Sequence, residues 1–208
     1  MRIDVISDTV CPWCFVGKRR LERAMALRPE SDFEVHWHPF QLNPDVPSAG
    51  VDRKAYYAQK FGDNGRIEAM VEQLKRIGAD LDIAFDFEAI KIQPNTRLSH
   101  CLISAFEGAT QNAVKEGVLR AFFEQGRDIG SRDVLLEIAR ELQVDTALAS
   151  AAIDDAALQA AVAERSEQAR ANGINGVPTF IFDQLRGFSG AQDEATFLQM
   201  FDHDHGSP

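Results

Sequence analysis

The chain has 208 residues with 45% hydrophobic and 26% charged residues, an ordinary globular composition with length for one large domain or a domain carrying a sizeable insertion. Its net charge of −10 disfavours nucleic acid as a partner, because phosphate binding needs a basic surface. No run approaches the ~18 apolar residues that span a bilayer, and Met1 leads straight into a strand without an apolar leader, so a cytoplasmic location is expected.

The first predicted element is a strand from Ile3 to Ser7, followed by a helix from about Cys11 to Leu27. The next stretch, Phe33 to His38, alternates as a strand, with Phe33, Val35 and Trp37 on one face and Glu34, His36 and His38 on the other. A helix joining two such strands implies a right-handed parallel crossover. A proline-rich corner runs from Pro39 to Gly50. From Asp52 to Asn172 the periodicity is helical throughout. Ile67, Met70, Val71, Leu74 and Ile77 form a stripe that Gly78 stops. Asn95 and Thr96 open a helix carrying Leu98, Cys101 and Leu102, and Val114, Val118, Ala121 and Phe122 mark another. Ser131 caps a helix with Leu135 and Ile138, and an Ala-rich helix runs from about Asp155 to a stop at Asn172-Gly173. The chain then returns to strand at Val177 to Phe182, turns at Asp183-Gln184 into an antiparallel partner ending at Ser189, and closes with a helix over about Asp193 to Phe201. This gives an α/β chain: residues 1–50 and 173–202 form one discontinuous unit, residues 51–172 a helical insertion, and residues 203–208 a frayed tail.

Chemistry concentrates at Cys11-Pro12-Trp13-Cys14, where the first strand turns into the first helix. Two thiols at this spacing can close a small disulfide ring. A sulfur at a helix N-terminus sits where free N–H groups and the helix dipole favour an anion, hence the reactive thiolate. Proline in the first turn loses no hydrogen bond. Cys11 is then the nucleophile and Cys14 the resolving thiol. Half of a zinc site is the competing reading, but it needs a second ligand pair, and only Cys101, His36 and His38 are on hand. Cys101, on an apolar stripe, reads as a buried small hydrophobe, and His36 and His38 as core or interface residues. His203 and His205 in the acidic tail offer at most adventitious metal binding. Asp8 serves either as a proton acceptor near Cys14 or as a helix-opening residue. Trp13 either shapes substrate access or packs the surface. It adds no positive charge beside the dithiol.

Five segments, Ser7–Lys18, Pro39–Pro44, Asn95–His100, Gly176–Phe180 and Ser189–Gln192, resemble in order the FrnE-like branch of the DsbA family of thiol–disulfide oxidoreductases. The resemblance implies a thioredoxin-like fold (β-α-β, then β-β-α) with a large all-helical insertion. It implies that Pro178 is cis and faces the dithiol, presenting the backbone of Val177 to a bound peptide or glutathione. Asn43, Ser189 and Gln192 lie in loops that resemble the family's ligand-side loops. The same superfamily holds 2-hydroxychromene-2-carboxylate isomerases and kappa-class glutathione transferases, which carry serine where Cys11 stands. The expected activity is therefore protein thiol–disulfide exchange through a Cys11–Cys14 couple, less oxidising than that of periplasmic relatives. The alternatives are a glutathione-dependent isomerase or transferase and a non-catalytic peptide-binding or chaperone-like module. Partners are protein or low-molecular-weight thiols and disulfides. Glutathione is a candidate co-substrate, no tightly bound cofactor or metal is expected, and the chain is a monomer or homodimer.

Overall fold

A computed structural model describes residues 1–62 and 65–202. The expected tail and its histidines at 203 and 205 lie outside the described residues. The central sheet has the order β2-β1-β5-β6, built from β1 (Arg2–Ser7), β2 (Glu34–Pro39), β5 (Thr179–Phe182) and β6 (Arg186–Ser189). β1 and β2 run parallel with Ile3 opposite Val35 and Val5 opposite Trp37, as a helical crossover demands. β5 pairs antiparallel with both β1 and β6. Every β1 residue from Ile3 to Ser7 is buried, so both sheet faces are covered.

Helix α1 (Pro12–Ala26) provides the crossover, and the closing helix α9 (Glu194–Asp202) packs beside it. Phe180, Phe188 and Phe197 bind α9 to the sheet in edge-on contacts, with Phe180 and Phe197 centroids 4.8 Å apart. Between the two halves of the sheet come α2 (Arg53–Phe61), α3 (Arg66–Asp80), α4 (Arg97–Ser104), α5 (Gly108–Phe123), α6 (Arg132–Glu141), α7 (Thr146–Asp154) and α8 (Ala156–Ala171). A second aromatic cluster joins them to α1: Phe15 meets Phe85 edge-on at 6.0 Å, and Phe85 meets Phe123 at 5.6 Å. No helix among the described residues is long and apolar enough to cross a membrane.

Three local expectations are corrected. The stretch from 52 to 172 is not helical throughout: β3 (Val51–Asp52) pairs with β4 (Ile92–Gln93) in a two-stranded ribbon, with a long irregular segment before it. Strands of two residues leave no periodic trace. Gly78 does not stop α3, which continues to Asp80 and is followed by Asp82 at φ 56°. Gly78 instead admits a close approach, since a Cβ there would lie 2.6 Å from the Phe85 ring. Ser131 stands at the N-cap of α6, but its side chain makes no capping hydrogen bond. Among the described residues, side-chain caps form at Asp52, Asp145, Asp155 and, before α9, Asp193, whose Oδ1 accepts from the Thr196 amide at 2.9 Å. Asp155 both ends α7 and opens α8, which resolves the Ala-rich region into two helices.

Candidate active site

Cys11 is the N-cap of α1 in an extended conformation, Pro12 is the first helical residue, and the Cys14 amide donates to the Cys11 carbonyl at 3.0 Å. The dithiol thus sits across the first turn of α1. Both are free thiols; Cys11 is 5% exposed and Cys14 fully enclosed. Cys101, the third free thiol, lies inside α4, where burial pushes it up to about 11 and leaves it inert.

The Val177–Pro178 bond is cis, and the Cys11 thiol is 3.5 Å from the Val177 carbonyl. Gly17 permits this approach: a Cβ there would meet Pro178 Cγ at 2.9 Å and Phe180 Cζ at 3.0 Å. The Gly190 amide donates to the Pro178 carbonyl at 2.7 Å, while Ser189 Oγ bonds Thr179 Oγ1 and the Ser189 carbonyl accepts from Gln192 Nε2. Ser189 and Gln192 therefore belong to the loop that braces Pro178. Asn43 is placed differently: its Oδ1 accepts from Tyr56 at 2.7 Å and from Lys60, which ties the Pro39–Pro44 corner to α2. Trp13 is half-buried against the core.

Behind the dithiol is a buried polar cluster. Asp8 is fully enclosed and accepts from the Thr9 amide at 2.7 Å, the Leu42 amide at 2.7 Å and His100 Nε2 at 3.2 Å. Burial would push its carboxyl up, but His100, the Leu42 amide and Lys115 outweigh it and hold the group below the ordinary carboxylate range. His100 is pushed down by burial, with Asp8 opposing. Lys115, 1% exposed, is pushed down by burial to about 8, opposed by Cys14, Asp8 and Cys11. Burial also raises the Cys14 thiol well above its ordinary value, helped by Cys11 and opposed by Lys115 and the Asp8 backbone. At the start of α2, Arg53 stacks over the Tyr57 ring at 4.3 Å and donates to Gln93 Oε1 at 3.2 Å. Burial pushes the Tyr57 phenol up; Arg53 opposes this and Cys11 adds to it.

Asp8 is thus a buried anion beside the dithiol and not the N-cap residue of α1, a position that Cys11 occupies without a side-chain capping bond. Sequence reasoning assigned no role to His100, Lys115, Arg53 or Tyr57. Lys115 carried a readable signal: it shares the apolar face of α5 with Val118, Leu119 and Phe122, three, four and seven residues on. His38 bonds Asp4 at 2.7 Å on the sheet, and no three His, Cys, Asp or Glu side chains among the described residues form a metal-ligand set.

Comparison with known proteins agrees with this architecture. The uncharacterized protein YwbO of Bacillus subtilis is 31% identical over 189 residues, 87% of this chain and 86% of that protein. The probable DsbA oxidoreductase SCO1869 of Streptomyces coelicolor superposes with a TM-score of 0.87 at 27% identity, covering 100% of this chain and 92% of that one. A 2-hydroxychromene-2-carboxylate isomerase shares the fold at 16% identity, with a TM-score of 0.70 and full coverage of both chains. Residues 2–202 match the DSBA-like thioredoxin domain over nearly the whole length, and the chain belongs to that family.

Proposed function

We propose that the protein is a thiol–disulfide oxidoreductase of the FrnE-like branch, with Cys11 as nucleophile and Cys14 as resolving thiol. The observation that carries this reading is the placement of Cys11: a helix N-cap whose sulfur lies 3.5 Å from the carbonyl preceding cis-Pro178, with Cys14 enclosed one turn behind. The Cys11 thiolate attacks a substrate disulfide, forming a mixed disulfide and releasing one thiolate. Cys14, deprotonated, attacks the Cys11 sulfur, releasing the second thiolate and leaving the enzyme disulfide. The reverse sequence oxidises a substrate dithiol, and the compartment's potential sets the direction. With only three cysteines and a dithiol that must cycle, the reading places the protein in the cytoplasm, acting on protein or low-molecular-weight thiols.

The test is equilibration in graded glutathione redox buffers, acid quench, intact mass and peptide mapping. Reversible loss of two hydrogens mapped to Cys11 and Cys14 is expected. A persistent glutathione adduct on Cys11 without an internal disulfide overturns the reading in favour of glutathione-dependent chemistry on the same fold.

A further inference from the structure

Arg53 is 9% exposed, and among the described residues its guanidinium has no carboxylate within salt-bridge range. The groups that hold it are uncharged. Gln93 Oε1 accepts from it at 3.2 Å, and the Tyr57 and Phe122 rings lie 4.3 and 5.7 Å from its guanidinium carbon. Its own amide donates to the Lys91 carbonyl at 2.9 Å, so the β3–β4 ribbon fixes where the side chain starts. Lys18, which is 2% exposed, shows the ordinary solution, since it pairs with both Glu22 and Glu116. A buried charge without a counter-charge is costly. Arginine does not escape that cost by losing its proton.

Arg53 lines a cavity of about 570 Å³ between α2, α3 and the segment that leads into β4. Small-molecule sites occupy about 300–1,000 Å³ and combine apolar walls with a few placed polar groups. The walls here are Ile67 and Val71, one turn apart on α3, with Phe87 and Ile90 facing from the irregular segment. The other charged groups of the lining balance in number: Lys54 and Lys91 against Asp52 and Glu88. Asp52 is already used, accepting from the Ala55 amide at 2.8 Å, and Lys91 donates to the Glu88 carbonyl at 2.7 Å. The uncompensated charge of the cavity is the guanidinium.

We propose that this cavity binds an aliphatic monocarboxylate, a medium-chain fatty carboxylate, with its headgroup on Arg53 and its chain along Ile67, Val71, Phe87 and Ile90. The planar guanidinium fork matches a carboxylate with two parallel hydrogen bonds. One unpaired positive charge calls for one negative charge. A phosphate carries more and would meet Asp52 and Glu88 in the same lining. Branched aliphatic side chains make up most of the apolar wall and suit a flexible chain. The bound carboxylate would also tie α2, whose buried side chain is Arg53, to α3. No covalent bond forms or breaks, and neither Cys11 nor Cys14 takes part.

The test is isothermal titration calorimetry of the full chain with octanoate, with octan-1-ol as the uncharged control. One saturable site is expected for octanoate, and binding of the alcohol should be about tenfold weaker or less, as loss of a charge-assisted pair predicts. Arg53→Met should weaken octanoate by a similar factor. Val71→Phe fills the cavity without touching the guanidinium and should abolish binding in a protein whose circular dichroism is that of the wild type. Octanoate should slow amide exchange across Arg53–Phe61 and along the first turns of α3 in the wild type. Absence of a saturable site in the wild type overturns the proposal. So does octan-1-ol binding as tightly as octanoate, or a folded Arg53→Met or Val71→Phe variant with wild-type affinity. Protection that appears elsewhere in the chain and not on α2 and α3 overturns it as well, and this readout needs no variant to fold.

Discussion

At the scale of single residues, Lys115 is a buried amine whose charge costs stability. Burial lowers it to about 8, whereas an unfolded lysine titrates near 10.4. Between those values the unfolded chain binds more protons, so the group adds stability as pH rises through the window and is most costly below it. Replacing it with methionine, an apolar chain of similar length, is expected to raise stability at pH 7 by about 1–4 kcal/mol. Urea unfolding at pH 7 and pH 10 checks this: the gain should shrink at the higher pH. At Gly17 the constraint is steric. A methyl group there meets Pro178 and Phe180 at 2.9–3.0 Å, so Gly17→Ala should cost about 1–3 kcal/mol and move α1 away from the cis-proline turn. An unchanged urea midpoint would refute this. The dithiol and Pro178 were legible in the sequence because spacing and a short motif encode them. The Asp8, His100 and Lys115 cluster was legible only in part, because its members come from three separate elements that no local pattern joins.

At the scale of elements, α2 is the least anchored part of the site. Its only buried side chain is Arg53, held by the Tyr57 ring and Gln93, while Asp52 caps its first turn. An element with so few buried groups opens at low cost. Arg53→Ala should therefore free α2, and because Tyr57 is near enough to feel the charge of Cys11, alkylation of Cys11 should accelerate several-fold with faster amide exchange across Arg53–Phe61. Equal labelling rates would show that α2 does not control access. The caps give a paired contrast. Asp145 accepts from the Ala147 and Leu148 amides at 2.9 and 3.0 Å, so Asp145→Ala should cost about 1 kcal/mol, whereas Ser131→Ala should cost little because no capping bond exists there. The long amphipathic helices were readable from their periodicity. The β3–β4 ribbon was hidden by its brevity. Gly78 was misread because a glycine required by the Phe85 ring looks, in sequence, like one that ends a helix.

For the molecule as a whole, acidification sets two electrostatic effects against each other. The chain carries a net charge of −10, so protonating surface carboxylates relieves self-repulsion and favours the compact state. Buried carboxylates act in the other direction. Asp8 is held below its ordinary value by His100, the Leu42 amide and Lys115 despite its burial, and Asp4 likewise by Arg2 and His38. A carboxyl whose folded value is depressed contributes stability above its unfolded value, near 3.9, and that contribution is lost as pH falls through the folded value. Exposed pairs contribute about 0–1 kcal/mol each and are screened by salt, whereas the enclosed Asp8 is not. Wild-type stability should therefore fall below about pH 4 instead of rising. Salt separates the two effects: at 1 M the screening length is about 3 Å, which removes surface repulsion but leaves the enclosed Asp8 largely untouched. Urea unfolding from pH 6 to pH 3 at low and high salt is expected to keep its acid slope in the wild type and lose most of it in Asp8→Asn, whose baseline stability is lower because an amide cannot accept all three donors. An acid slope that vanishes in 1 M salt would place the effect on the surface and remove Asp8 from the account.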